Sequence, residues 1–171
     1  MIKPMLAYKV DKKPVDWSEK VFIQPKLDGV RCIFTKDGAY SRTGKEFKNL
    51  VHIKYDLTDY FRKHPNSVLD GELYNHALKN DFEKIISLVR KQKPTDQDAR
   101  DAENLVQYHV YDTIAEGVNY EDRFNWLTRY LPIAASMTLI KNTVVESQDE
   151  AEMLHDVHLA QGYEGSILRL N

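Results

Sequence analysis

The segment Lys26-Leu27-Asp28-Gly29-Val30-Arg31 organises this chain, because it places an amine, a carboxylate, a tight turn and a fixed positive charge side by side. The run Val21-Phe22-Ile23 leads into it and Val30-Arg31-Cys32-Ile33-Phe34 leads out, and both have the β-branched and aromatic composition of strands. Pro25 is expected to end the first strand, since it has no N–H for a sheet ladder, and Asp28-Gly29 is expected to turn. The pattern predicts Lys26 at a strand end, on a loop held by rigid elements. A surface lysine beside an ordinary hairpin would give the same pattern, so the rest of the chain must decide.

Composition excludes some classes of function but does not identify one. The chain has 171 residues, the size of one domain, and 24 basic against 26 acidic residues give a formal net charge of −2. This balance excludes attachment to DNA by overall charge, so any nucleic-acid contact must use local basic clusters. No apolar run approaches the ~18 residues of a membrane helix, and the N-terminus lacks a secretory signal. The single cysteine, Cys32, excludes an intramolecular disulfide and is expected to be a buried core thiol in a cytoplasmic protein.

Hydrophobic periodicity and turn residues predict strands with helices inserted among them. The predicted strands are 21–25, 30–35, 39–42, 67–75, 105–114, 138–145 and 163–170. The predicted helices are 50–63, 81–91, 120–131 and a segment from a capping box at Ser147 to about Ala160. Residues 92–103, which are charged and contain Pro94, are expected to form a mobile loop. The pattern favours an α+β fold with largely antiparallel sheets.

Several carboxylates lie on the predicted strands. Asp70 and Glu72 are expected to share one face of their strand, because side chains alternate. The same alternation predicts opposite directions for Tyr111 and Asp112, and for Glu164 and Arg169. Burying a carboxylate is unfavourable unless it is paired or binds a metal, so these faces are either exposed or line a polar cleft.

Five segments, taken in order, resemble the nucleotidyltransferase (adenylation) domain of ATP-dependent DNA ligases, particularly the small viral and phage type. They are Lys26-Leu27-Asp28-Gly29-Val30-Arg31, Ser41-Arg42-Thr43-Gly44, Asp70-Gly71-Glu72-Leu73, Tyr108-His109-Val110-Tyr111-Asp112-Thr113-Ile114 and Glu164-Gly165-Ser166-Ile167-Leu168-Arg169. The opening Pro4-Met5-Leu6-Ala7 also resembles the usual lead-in of that family. Each motif alone is weak, whereas five in order on predicted strands are specific.

The resemblance implies two largely antiparallel sheets with flanking helices that form a nucleotide cleft. It implies attack of the Lys26 amine on the α-phosphate of ATP, giving a lysyl-AMP and pyrophosphate. AMP would then pass to the 5′-phosphate of nicked double-stranded DNA before the strand is sealed, a reaction that serves replication, repair and recombination. Because an unperturbed lysine is almost entirely protonated at pH 7, the amine is expected to be desolvated or to lie near positive charge.

The resemblance also implies roles for the site residues. The catalytic candidates are Lys26 as nucleophile, Asp28 as the residue that orients its loop, and Arg31 as a source of positive charge. The assigned nucleotide contacts are Gln24 with the adenine amino group, Arg31 and Arg42 with phosphate, ribose or the nick 5′-phosphate, Glu72 with the ribose hydroxyls, and Tyr111 with the adenine ring. The metal candidates, for Mg²⁺ or Mn²⁺, are Glu164 and Glu72. His155 and His158 have a spacing seen in metal sites, but without a third ligand they are expected to be a surface pair.

The family's Lys-x-Lys element and OB-fold domain are expected beyond Asn171, so residues 1–171 are interpreted as an incomplete adenylation domain. Such a domain is expected to be a monomer, partially active, and unable to seal nicks alone. Three alternatives stay open. The chain could be an RNA ligase or an mRNA-capping guanylyltransferase, which share the Lys-x-Asp-Gly logic, or a non-catalytic module that binds ATP or a nick. An NAD-dependent ligase is less consistent with the sequence, because its additional N-terminal domain has no room here.

Overall fold

The computed structural model describes residues 2, 5–7 and 9–171. Its strands are β1 Val21–Lys26, β2 Val30–Thr35, β3 Gly38–Tyr40, β4 Glu46–Phe47, β5 Leu69–Tyr74, β6 Gln107–Thr113, β7 Met137–Leu139, β8 Thr143–Val145 and β9 Gly165–Leu170. Its helices are α1 Val51–Asp56, α2 Thr58–Lys63, α3 Phe82–Val89, α4 Asp96–Leu105, α5 Tyr120–Tyr130 and α6 Gln148–Ala160, with a single 3-10 turn at His76–Leu78.

The strands form two sheets. The smaller sheet has the order β8-β1-β9 and is antiparallel, and the larger has the order β4-β3-β2-β5-β6-β7, in which only β6 and β7 pair in parallel. This confirms the α+β class with two largely antiparallel sheets and flanking helices. The strand β1 runs through Pro25 to Lys26 instead of ending before the lysine. Because β1 and β2 belong to different sheets, residues 27–29 cross from one sheet to the other and do not close a hairpin.

A second crossing lies in the segment 138–145, for which a single strand was the wrong prediction. It forms β7 in the larger sheet and β8 in the smaller one, and residues 140–142 connect them. Ile140 is 5% exposed, so the connection is packed into the molecule. Lys141 and Asn142, which separate the apolar residues Leu139 and Ile140 from Val144 and Val145, mark the connection between the two strands.

Three apolar clusters hold the elements together. The largest lies between the larger sheet and helices α1 to α5 and contains the fully buried Cys32, which confirms the core-thiol prediction. A second joins the smaller sheet to α6 through residues such as Val21 and Ala151. A third, small cluster of Leu27, Tyr74 and Ile140 lies where the two crossings meet.

The prediction of a mobile loop at 92–103 was wrong, because most of this segment forms the helix α4. Thr95 accepts from the backbone N–H of Asp98, and the Asp98 side chain accepts from the backbone N–H of Thr95, which is a complete capping box. The helix buries Ala102 and little else of its own, so the segment shows almost no apolar periodicity. Asn49, 1% exposed, donates its amide to the carbonyls of Leu88 and Asp98 and so ties α4 to α3.

The helix predicted over 50–63 is divided at Leu57 into α1 and α2, whereas α3, α5 and α6 lie within a few residues of their predicted bounds. Asn119 caps α5 by accepting from the N–H of Asp122, and Ser147 caps α6 by accepting from the N–H of Glu150. The reciprocal half of the predicted capping box is displaced, since Glu150 accepts from the N–H of Glu146. In the described part of the chain, no helix is both long and apolar enough to cross a membrane.

Candidate active site

Both sheets line one cavity of about 440 Å³, which lies in the size range of small-molecule sites. The smaller sheet contributes Gln24, Pro25 and Lys26 from β1 and residues 167–170 from β9, while the larger sheet contributes Arg31, Glu72 and Tyr111. Tyr120 and Arg123 of α5 and residues 5–7 of the N-terminal segment also line it. Pro4 of the lead-in lies outside the described residues. The chain therefore brings five of the predicted site residues to one cavity.

Lys26, the last residue of β1, opens onto this cavity. Its Nζ lies 3.4 Å from Oε1 of Glu164, and both side chains are about half exposed, at 47% and 46%. Glu164 precedes β9, and its backbone N–H donates to the carbonyl of Lys26 at 3.2 Å, so the β1–β9 pairing places the two residues together. We expected the amine to be desolvated or to lie near positive charge. In the structure it is exposed to water, and its charged neighbour is a carboxylate.

The glycines of two motifs stand where backbones approach closely. A Cβ on Gly29 would overlap the backbone carbonyl of Leu73, and a Cβ on Gly71 would overlap the backbone carbonyl of His109. Neither obstacle is a flexible side chain, so a substitution would have to move a strand. The glycines thus let the lysine loop pack against β5, and β5 pack against β6.

Glu72 faces the cavity from β5. The Tyr111 hydroxyl donates to its Oε1 at 3.2 Å. Burial raises the pKa of Glu72 to about 7, against the opposing effects of the Tyr111 hydrogen bond and the Arg31 charge. Burial also raises the pKa of the Tyr111 phenol well above its usual range, which keeps this group a donor. Near neutral pH the Glu72 carboxyl can therefore donate as well as accept a hydrogen bond.

Tyr111 occupies a β-bulge. Asp70 pairs with Asp112 and Gly71 with Val110, which leaves Tyr111 as the extra residue of β6. A bulge interrupts the alternation of side chains and redirects them, and bulges are common beside active sites. The prediction that Tyr111 and Asp112 point apart was wrong for this reason, because both reach the guanidinium of Arg169.

Arg169 was wrongly predicted to face away from the site. Its guanidinium carbon lies 4.9 Å from the centre of the Tyr111 ring, and its Nη1 lies 3.4 Å from Asp112. Asp112 also pairs with Arg123 at 2.9 Å. The error arose from the start of β9: the strand begins at Gly165, so the alternation counted from Glu164 does not apply. Arg123 and Tyr120 belong to none of the motifs. The sequence predicted only that they lie on a helix and gave no sign that they line the cavity.

Gln24 is buried, at 2% exposed, and its amide is engaged at both ends. Its Oε1 accepts from Nε of Arg169 at 2.9 Å, and its Nε2 donates to the Tyr120 hydroxyl at 2.8 Å. An amide oxygen has two lone pairs, so one remains for a ligand. The contact with an adenine amino group stays a prediction, and Arg169 fixes the direction of that oxygen.

Arg31 is held by a buried carboxylate. Its Nε and Nη2 donate to the two oxygens of Asp70 at 3.0 and 2.6 Å, and its Nη1 donates to the carbonyl of Met5. The guanidinium carbon lies 5.7 Å from the centre of the Tyr111 ring. Arg31 thus supplies a fixed charge on the cavity wall and also ties the N-terminal segment to it.

Two predicted site residues lie elsewhere. Arg42 is exposed on the loop between β3 and β4, and Asp28 is exposed on the crossing 27–29; neither lines the cavity. The predicted contact of Arg42 with phosphate or ribose is therefore not one that the cavity wall itself provides.

The donor set suits a magnesium ion that relies on its substrate for ligands. Within residues 2, 5–7 and 9–171, no group of three or more His, Cys, Asp or Glu side chains converges to hold a metal. Mg²⁺ is commonly bound by one or two carboxylates together with phosphate oxygens and waters. Glu164, half exposed beside the lysine, and Glu72 on the cavity wall fit that requirement.

Comparison with known proteins points to one family. The family described as ATP dependent DNA ligase domain matches residues 4–171. The DNA ligase of African swine fever virus is 29% identical over 184 residues, covering 99% of this chain and 42% of the viral protein. The DNA ligase of phage T4 is 27% identical over 214 residues, covering 96% of this chain and 44% of the phage protein. The chain thus spans less than half the length of these relatives.

The fold has solved counterparts. A structure from a study of Lig E DNA ligases superimposes with a TM-score of 0.80 and covers 100% of this chain and 62% of that one. Its sequence identity is 20%, so the likeness concerns the fold alone. It confirms the expected arrangement of two sheets with flanking helices.

Proposed function

The chain belongs to the ATP-dependent DNA ligase domain family, and we propose that it is an adenylation domain that forms a covalent lysyl-AMP on Lys26. The observation that carries the proposal is the position of this amine. It lies at the edge of a cavity of about 440 Å³, whose walls hold a carboxylate, an aromatic ring and a fixed guanidinium.

The remaining site residues take roles that follow from their positions. Tyr111 provides an aromatic face for adenine, an interaction that contributes about 1–3 kcal/mol for a stacked base. Glu72 contacts the ribose hydroxyls, for which a carboxyl that both donates and accepts is well suited. Gln24 contributes to adenine recognition and Arg31 to phosphate binding, while Asp28 orients the lysine loop.

The reaction forms a bond between Nζ of Lys26 and the α-phosphorus and breaks the bond from that phosphorus to the pyrophosphate oxygen. The ammonium loses its two surplus protons, which can leave to solvent because Lys26 is half exposed. In the ligand-free chain the amine lies 3.4 Å from the Glu164 carboxylate, and it has to leave this contact to attack the phosphorus. A Mg²⁺ or Mn²⁺ ion held by Glu164 would neutralise phosphate charge and, by occupying the carboxylate, weaken its hold on the ammonium.

Transfer of AMP to the 5′-phosphate of nicked double-stranded DNA is the proposed second step. The exposed Arg42 is the candidate for the nick phosphate, because phosphate contacts position a nucleic acid without requiring a cavity. The relatives that are named DNA ligases are more than twice as long as this chain, so sealing has to be tested separately from adenylation. We further propose that the protein works as a monomer in the cytoplasm of a bacterium or of a virus-infected cell.

Intact-mass spectrometry after incubation with ATP and Mg²⁺ tests the proposal. We expect an adduct with the mass of AMP on the natural chain and none on Lys26→Ala. Lys36→Ala, which removes an exposed lysine between β2 and β3, is the matched control and should keep the adduct. An adduct on Lys26→Ala would refute the assignment of the nucleophile.

Labelling with GTP, thermal unfolding and nick sealing separate the alternatives. An adduct formed with GTP in place of ATP would indicate a capping-type enzyme. Thermal stabilisation by ATP without any adduct would indicate a binding module. Sealing of a nick in RNA but not in DNA, by the adenylated protein, would indicate an RNA ligase.

A further inference from the structure

Two histidines of α6 hold the segment that carries Glu164. Nδ1 of His155 lies 3.0 Å, and Nδ1 of His158 2.6 Å, from the hydroxyl oxygen of Ser166. His158 is 9% exposed, so the prediction of a surface pair was wrong. A serine hydroxyl has one proton, so it donates to one ring and accepts from the Nδ1–H of the other. Two neutral rings of complementary tautomers therefore satisfy Ser166 fully.

The other side of Glu164 is held as well. The ring of Tyr163 stacks on His76 with centroids 4.3 Å apart and an interplanar angle of 25°. His76 is fixed through Nδ1 by the Tyr74 hydroxyl at 2.6 Å and through Nε2 by the carbonyl of Gln161 at 2.8 Å. Both neighbours of the Glu164-Gly165 pair are thus anchored by imidazoles, while the Glu164 side chain remains half exposed beside Lys26.

We propose that His155 and His158 are positioning residues for lysine adenylation, acting through Ser166 on the Glu164 carboxylate and hence on Lys26. The inference rests on the proposed function, because it concerns the position of the same lysine. The smaller sheet provides the link, because Lys26 pairs with Gly165 and Pro25 pairs with Ser166 across β1 and β9. A shift of Ser166 therefore displaces the backbone that sets the 3.4 Å contact between Glu164 and the amine.

Protonation of both rings would break this arrangement. Each Nδ1 would then donate to Ser166, whose own proton would lose its partner, and two positive charges would face each other. The charged or titratable groups that face the pair from other elements are Lys141 of the β7–β8 connection and Tyr163 before β9, with His76 stacked behind Tyr163. Burial, with His155 and Lys141 nearby, lowers the pKa of His158, which favours the neutral form of that ring. Adenylation should accordingly fall on the acid side.

Single-turnover adenylation by His158→Leu, His158→Asn and Leu154→Ala tests the proposal. His158→Leu removes the contact with Ser166 and should slow adenylation by roughly tenfold, with little change in the KM for ATP, since misplacement of a reacting group lowers the rate of the chemical step. His158→Asn, whose amide can reach the same oxygen, should restore the rate and remove part of the acid-side fall. Leu154→Ala is the matched control, because Leu154 packs α6 on the smaller sheet.

Leu154→Ala should lower the melting temperature without slowing adenylation, all rates being measured where every variant is folded. Equal slowing by Leu154→Ala and His158→Leu, or a wild-type rate in His158→Leu, would overturn the inference. If the natural chain forms no adduct at all, the proposed function fails, and the positioning claim is then decided by NMR. The 13Cε shift of Lys26 should change in His158→Leu and not in Leu154→Ala, and an unchanged shift in both would refute the claim.

Discussion

Replacing Glu72 by Gln should stabilise the protein, and only at neutral and alkaline pH. The folded chain raises the pKa of this carboxyl from 4.5 to about 7, with burial as the main cause. A carboxyl whose pKa is raised on folding binds its proton more tightly in the folded state, so stability falls as pH rises from 4.5 to 7. The difference corresponds to about 3 kcal/mol once the carboxyl is fully ionised, and partial solvent contact reduces this to about 2 kcal/mol. Gln keeps an oxygen for the Tyr111 hydroxyl and carries no charge.

His109, the cross-strand partner of Glu72, titrates in the opposite sense. Burial lowers its pKa from 6.5 to about 4, so the folded state excludes the proton and stability falls as pH drops through this range. In the natural chain the two effects oppose each other between pH 4.5 and 6.5, and their contributions to the free energy of unfolding should largely cancel there. In Glu72→Gln only the His109 effect remains, and the free energy should rise with pH.

Urea unfolding followed by tryptophan fluorescence at pH 4.5, 6.5 and 8, in EDTA to exclude divalent cations, measures both effects. Glu116→Gln, the same substitution on an exposed loop, is the control and should have no effect at any of these pH values. We expect Glu72→Gln to match the natural chain at pH 4.5 and to exceed it by about 2 kcal/mol at pH 8. A gain that is equal at every pH, or no gain at pH 8, would show that burial does not govern this carboxyl.

Three further changes probe the frame of the site. Gly71→Ala should lower the free energy of unfolding by at least about 2 kcal/mol in urea titrations, because its Cβ would overlap a backbone carbonyl of β6; a change under 0.5 kcal/mol would mean that β6 yields easily. Asp112→Asn should lower the free energy of unfolding by about 3 kcal/mol, because it leaves the guanidinium groups of Arg123 and Arg169 without their carboxylate. Differential scanning calorimetry measures this loss, and an unchanged stability would show that water replaces the carboxylate. Asn119→Ala should cost about 1 kcal/mol through the lost cap of α5, leaving the adenylation rate unchanged.

The sequence predicted those parts of the fold that depend on local pattern. Strands rich in β-branched residues, the cap at Asn119 and the motif segments were placed to within a few residues. Helix α4 was missed because its stability comes from a capping box and from contacts to α1 and α3, whereas its own sequence buries little beyond Ala102. Local periodicity carries no information about such packing.

The candidate site was predictable in its motif residues and not in their surroundings. Lys26, Glu72, Tyr111 and Glu164 could be named from motifs, but the bulge at Tyr111 depends on how β5 and β6 pair. Strand pairing is a long-range property, and a one-residue shift reverses every side-chain direction beyond it. The contact of Arg169 with the Tyr111 ring was missed because β9 begins only at Gly165, so the alternation counted from Glu164 did not apply.

The crossings explain why the lysine motif has an apolar second residue. A cavity lined by both sheets requires the chain to pass between them, and it does so at residues 27–29 and again at 140–142. Leu27 and Ile140, one from each crossing, pack with Tyr74 of the larger sheet in a single small cluster. Leu27 directly follows the lysine, so the same short segment that presents the amine also fixes the distance between the sheets at that point. The position of the Lys26 amine and the spacing of the two sheets are therefore determined by the same short segment. For this reason a charged residue, Lys26, is followed directly by a buried one, Leu27.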